Sequence, residues 1–238
     1  MVVFWPPHMF RVSVILALFL IAGNHWQAFA QADDFDWYSN IGVVSDDRLR
    51  GVSLSENQPA LQLESTLEHA SGFYANVWVS APLGDSPNEE IDLTAGRSFE
   101  VGRVNLDISA TRYSYPSLDA SDFTELNASA EWDAGKWVVR GILEYSPPQK
   151  NLESAGTYYS AEVQRPVGLG GLAFTASVGY EKGEFTLDGS KWDWSTGLVY
   201  SAERLDFFVT YTNTDDNETN IVQELSGAAI VLGLSLDV

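Results

Sequence analysis

The sequence predicts an all-β chain forming a transmembrane up-and-down antiparallel β-barrel of about twelve strands, and three observations predict it. An apolar amino-terminal run reads as a secretory leader, the remainder alternates apolar and polar residues with period two, and the connections are short and long in turn.

Arg11 precedes the apolar run Val12 to Ala22, which is too short to cross a bilayer, and Ala28-Phe29-Ala30 follows as a small-x-small cleavage site. Residues 1–30 are therefore expected to be a cleaved signal peptide and residues 31–238 the barrel. Ala30-Gln31-Ala32 overlaps as a second cleavage site, a start at Met9 would give a more conventional leader, and an uncleaved anchor is the alternative. Cleavage removes a single charged residue, Arg11, so the acidity of the chain survives export.

That acidity is strong, with 13 Lys plus Arg against 33 Asp plus Glu and a net charge of −20. Such a balance argues against nucleic acid, whose phosphates reward clustered basic residues. The absence of cysteine removes disulfides, thiolate metal sites and a lipid-anchored cysteine. With 45% apolar and 13% aromatic residues, the chain is nevertheless expected to fold.

A first strand is expected near Asn40 to Gly51. Leu61, Leu63 and Leu67 then alternate with Gln62, Glu64, Thr66 and Glu68, and Phe73, Ala75, Val77 and Val79 with Tyr74, Asn76, Trp78 and Ser80. Ile91, Leu93 and Ala95 oppose Glu90, Asp92 and Thr94; Val104, Leu106 and Ile108 oppose Arg103, Asn105 and Asp107. Leu126, Ala128, Ala130 and Trp132 face away from Glu125, Asn127, Ser129 and Glu131, as Trp137, Val139, Leu143 and Tyr145 do from Lys136, Arg140 and Glu144. Tyr159–Val163 with Leu172–Val178 and Trp192–Tyr200 with Leu205–Tyr211 make two more hairpins, and Ile230 to Val238 is the last strand.

Tight turns are predicted at Ala70-Ser71-Gly72, Glu100-Val101-Gly102, Asp133-Ala134-Gly135 and Ala202-Glu203, with a longer one at Pro166 to Gly170. Between them lie polar loops at 52–59, 82–88, 114–121, 146–155, 182–190 and 213–220. Short periplasmic turns and longer external loops are the asymmetry of an outer-membrane barrel, and an even strand count puts both termini on the periplasmic side. Aromatics near strand ends, among them Trp37, Tyr38, Phe73, Trp137, Tyr145, Tyr159, Tyr180, Trp192, Tyr200 and Tyr211, suit the headgroup region. Alternation alone would also fit a secreted β-sandwich or soluble barrel with its apolar face inward.

Val44-Ser45-Asp46-Asp47-Arg48-Leu49-Arg50-Gly51-Val52-Ser53-Leu54-Ser55 with Pro59-Ala60-Leu61-Gln62 resembles the Gcw_chp family, TorF-type porin-like proteins. The resemblance continues through Gly72 to Trp78, Tyr113 to Pro116, Phe123 to Leu126, Lys191 to Trp194 and Tyr211 to Asp215. It implies a small outer-membrane barrel of porin type and brings no substrate with it.

If the apolar face meets lipid, the lumen is expected to hold Glu64, Glu68, Glu90, Asp92, Asp107, Glu125, Glu131, Glu144 and Glu162, faced by Arg48, Arg50, Arg103, Lys136 and Arg140. Acid outnumbers base, which predicts a narrow pore for passive passage of small solutes with mild cation preference. The alternative is a closed structural or adhesive barrel, its lumen plugged by ion pairs and its loops doing the work. No cofactor or metal is expected. The expected partners are outer-membrane lipids and lipopolysaccharide, the barrel-assembly machinery and periplasmic chaperones, and small solutes or ions.

No enzyme is expected. His69, the one histidine beyond the leader, lies beside Ser65 and Ser71 but at a periplasmic turn, with no orienting carboxylate implied by spacing. Asp215-Asp216-Asn217-Glu218 lacks the glycine and spacing of a calcium loop, Gly168-Leu169-Gly170-Gly171 precedes no helix, and the sequons at Asn127 and Asn217 carry no weight in a bacterial protein.

Overall fold

A strand whose residues alternate in polarity can satisfy lipid on one side and water on the other, provided that its backbone groups are all paired. The computed structural model describes residues 34–84, 86, 88–118, 122–168, 170–186, 189–215 and 225–238, so the expected leader at residues 1–30 lies outside the described residues. The strands are β1 (Phe35–Val44), β2 (Arg48–Leu49), β3 (Val52–Ser53), β4 (Ala60–His69), β5 (Phe73–Pro82), β6 (Glu90–Val101) and β7 (Val104–Ser114), followed by β8 (Phe123–Asp133), β9 (Val138–Ser146), β10 (Gly156–Pro166), β11 (Leu172–Gly183), β12 (Ser190–Ala202), β13 (Leu205–Thr214) and β14 (Ala229–Asp237). Twelve of them close into one antiparallel barrel in sequence order, with β14 returning to β1 from Asn40↔Asp237 to Val44↔Gly233. Closure gives every strand of the wall a hydrogen-bonded neighbour on both sides. The remaining two, β2 and β3, form a small separate hairpin.

The apolar face points out. Ile108, Leu93, Leu126, Ile230 and Leu232 are each more than half exposed, whereas Gln62, Asn76, Glu90, Asp92, Thr94, Thr111, Glu125, Glu181 and Asp193 are buried. Because paired residues share a face, Leu61 opposite Val43, Leu106 opposite Phe99, Val139 opposite Trp132 and Phe174 opposite Leu198 all look outward. A soluble sandwich or barrel would bury this set, so the exterior is that of a membrane-spanning barrel.

Outward aromatics gather in two belts. Phe35, Trp37, Phe73, Phe99, Trp132, Tyr200 and Phe207 lie toward the end with the turns 70–72, 102–103, 134–137, 167–171 and 203–204. Tyr145, Tyr159, Tyr180, Trp192, Trp194 and Tyr211 lie toward the end with the connections 45–59, 83–89, 115–122, 147–155, 184–189 and 215–228. Aromatic rings at both interfaces, amphipathic where they are Trp or Tyr, mark the depth of the barrel, and the short turns mark its periplasmic end. Arg97 over Phe73 (4.9 Å to the ring centroid) and Arg165 over Trp137 (5.1 Å) keep their charges at the periplasmic belt.

One boundary differs from expectation. β1 begins at Phe35 and ends at Val44, and the residues after it leave the wall instead of extending the strand to Gly51. Asp46 and Asp47 are both buried, and the chain after them pairs with itself, Arg48 with Ser53 and Leu49 with Val52, instead of with β14 or β4. The first long connection folds inward.

Candidate functional site: the lumen and its inward first loop

The loop at 45–59 is a folded unit. Arg50 (φ 51°) and Gly51 (φ 79°) both occupy the left-handed region that a two-residue hairpin turn requires, and this turn pairs Leu49 with Val52. Around it, Asp46 accepts from the Ser53 hydroxyl (2.6 Å) and from Arg48 Nε (2.6 Å), while Asp47 donates its backbone N–H to Ser55 Oγ (2.8 Å) and accepts that of Leu54 (2.7 Å). The unit is tied to the barrel on both flanks. Ser80 donates to the Asp47 carboxylate (2.9 Å) and Asn88 to the Leu54 carbonyl (3.0 Å). On the other side, the Arg48 guanidinium donates to the carbonyls of Gly227 (2.6 Å) and Leu225 (3.0 Å).

So anchored at β5 and before β14, the hairpin tip reaches the opposite wall. Arg50 donates to Glu144 of β9 and Glu181 of β11, stands 3.9 Å from Glu125 of β8, and lies over the Tyr158 ring of β10 at 3.9 Å. The wall groups have supports of their own. Glu125 accepts from the Tyr113 hydroxyl (3.1 Å) and the Ser146 hydroxyl (2.9 Å), Lys191 pairs with Glu181 at 3.3 Å, and Tyr158 donates to Asp193 at 3.2 Å. The Arg50 side chain is 9% exposed and that of Glu181 2%, so the lumen is constricted at this level. Fully ionised, four carboxylates here meet two cations.

Gly179 of β11 makes room for this wall, since a Cβ built there would fall 2.6 Å from the Asp193 carboxylate and against the Tyr158 hydroxyl. Gly179→Ala is expected to destabilise the refolded barrel by about 1–3 kcal/mol, the usual range for overpacking. Urea unfolding curves for the two proteins check it, and coincident midpoints would contradict the packing argument.

Of the residues expected in the lumen, Glu64 and Glu68 on β4, Glu90 and Asp92 on β6, Asp107 on β7, Glu125 and Glu131 on β8, Arg140 and Glu144 on β9 and Glu162 on β10 occupy inward positions. Several are held: Asn76 donates to Glu64 (2.8 Å), Tyr115 to Glu90 (2.9 Å) and Tyr74 to Asp107 (3.1 Å). Arg48 and Arg50 belong to the inward loop rather than to a wall strand. Arg103 and Lys136 sit exposed in the turns 102–103 and 134–137, at the periplasmic rim and off the lumen wall. Glu181, Lys191, Asp193 and Tyr158 were not among the expected residues. Period two could have found all four, because outward Tyr159, Tyr180, Trp192 and Trp194 force their neighbours inward.

At the periplasmic rim, the His69 ring nitrogen Nδ1 lies 2.6 Å from Ser71 Oγ and its ring packs edge-on against Phe35. Across the outer rim, Glu184 accepts from the Ser154 hydroxyl (2.6 Å) and backbone N–H (2.8 Å), hydrogen bonds that hold its carboxyl below the ordinary range and pin two neighbouring loops together.

The chain matches the family described as bacterial protein of unknown function (Gcw_chp) over residues 29–232. No curated protein matches it in sequence. Among solved structures it is similar to the NanC porin, with a TM-score of 0.61 and 10% identity over 84% of this chain and 98% of that one. It is likewise similar to the KdgM porin, with a TM-score of 0.58 and 9% identity over 84% of this chain and 98% of that one. A second KdgM structure, in complex with disordered oligogalacturonate, gives 0.58 and 10% over the same shares. At these identities the likeness is one of fold.

Proposed function

The chain belongs to the Gcw_chp family of bacterial proteins, and from that premise we propose that it is an outer-membrane porin passing small solutes passively through a narrow, acidic lumen with mild cation preference. The observation that carries this reading is the constriction, where Arg50 and Lys191 stand among Glu125, Glu144, Glu181 and Asp193. Carboxylates in a low-dielectric passage lower the energy of an entering cation and raise that of an anion. Oligogalacturonate, bound by one structural neighbour, is a polyanion. This acidic lumen disfavours such a cargo.

The test is a planar-bilayer recording in a salt gradient. Stepwise conductance with a reversal potential of the sign set by cation flux is expected, and an anion-selective reversal would overturn the preference. A second reading, the closed structural barrel, draws support from the very low exposure of Glu90, Glu125 and Glu181. It predicts no conductance. Residues 1–30 act in either reading as the leader for export, which amino-terminal sequencing of the membrane-inserted protein checks.

A further inference from the structure

The guanidinium of Arg50 occupies a cage whose walls belong to the barrel while the occupant belongs to a loop. Glu144 and Glu181 each accept from a different terminal nitrogen, and the Tyr158 ring closes one side with its centroid 3.9 Å from Cζ. Two carboxylates on two nitrogens, with an aromatic face beneath, is an arrangement that matches a planar guanidinium better than a compact ammonium. A small inorganic cation has no planar face to stack on the ring and is held best by closely packed oxygens instead.

Of the four wall groups around Arg50, all but Glu144 are held by partners outside the loop. Tyr113 and Ser146 hold Glu125, Lys191 holds Glu181, and Tyr158 is fixed to Asp193, all of them residues of barrel strands. The cage also offers more than Arg50 uses. Asp193 is 6% exposed and its Oδ2 has no hydrogen-bond partner among the described residues, while Arg50 Nε is buried and equally unpaired. Because Arg50 sits at the tip of a two-residue turn, it can withdraw without breaking any pairing of the barrel wall.

We infer that this cage is a binding site for small solutes bearing a guanidinium group, with Arg50 as its tethered stand-in: a free guanidinium takes the place of Arg50 and the loop tip leaves the lumen. The inference rests on the porin reading for the claim that such a solute is carried, but binding can be tested apart from conduction. A ligand tethered by a short linker competes at an effective concentration on the order of millimolar, so a free solute displaces it in this range and binds more readily once it is removed.

The experiment compares L-arginine with L-citrulline, which keeps the shape and lacks the charge, on the full refolded barrel. In Arg50→Ala, millimolar arginine is expected to raise the urea midpoint and to reduce open-channel current, citrulline to do neither, and Glu144→Gln with Glu181→Gln in that background to abolish both effects. A midpoint shift without any conductance would leave the cage standing and sink the porin reading. Equal effects of arginine and citrulline, or no effect of either, would overturn the cage.

Should Arg50→Ala fail to fold, the otherwise native chain provides the measurement. It has no cysteine, so Leu49→Cys places a single thiol beside the tip. Thiol labelling is expected to accelerate several-fold with arginine and to be unchanged by citrulline; equal rates in both would refute displacement of the loop.

Discussion

Arg50→Gln is expected to raise single-channel conductance several-fold and to move the reversal potential further toward that of a cation-selective pore. Arg50 is the group through which the inward loop grips the far wall, with Glu144 and Glu181 at its ends and Tyr158 beneath it. A neutral amide retains hydrogen bonding but loses the charge that holds three glutamates together, and the site becomes more negative by one. Removing one partner of a buried ion pair usually costs about 3–5 kcal/mol, because the other charge is left buried and unpaired. In this lumen water and salt cations can follow the withdrawn loop to the abandoned carboxylates, so a smaller loss of stability and a larger change in conductance are expected together. Wild-type conductance in Arg50→Gln, with wild-type selectivity, would show that the constriction lies elsewhere.

The barrel was legible because lipid imposes its demand on every strand. Leu126, Ala128, Ala130 and Trp132 on β8 repeat the same outward choice that Trp192, Trp194, Leu198 and Tyr200 make on β12, so an error at one position is corrected by the next. The loop had no such redundancy. Val43-Val44 and Leu49 read as a continuing strand, and only the two adjacent carboxylates Asp46 and Asp47 break the alternation. What holds them inside, Ser53, Ser55 and Ser80, is a set of hydroxyls with no distinctive spacing. Arg103 and Lys136 show the opposite error, alternation carried past the strand end. Gly102 and Gly135, both at positive φ, mark where the chain has already turned. Sequence therefore fixes the face of a residue within a strand, while the partner across the lumen depends on where an irregular loop is anchored.

The lipid-facing assignment makes the second large prediction, and it separates depth from mere exposure. Ile108 lies near the middle of β7 with 60% of its surface exposed, and Val101 lies at the periplasmic end of β6 with 58% exposed. In water the two sites are equivalent, and a lysine at either would change little. In a bilayer, a lysine at mid-depth costs about 2–4 kcal/mol and one near the interface about 0–1 kcal/mol, because the terminal ammonium reaches the headgroups only from the latter. Ile108→Lys is thus expected to lower the unfolding free energy of the vesicle-inserted barrel by the larger amount and Val101→Lys by the smaller, measured as urea midpoints at matched lipid. The contrast should vanish for a barrel that stands outside the membrane. Two equal midpoints would remove the lipid belt, and with it the reason for reading the buried polar residues as a lumen at all.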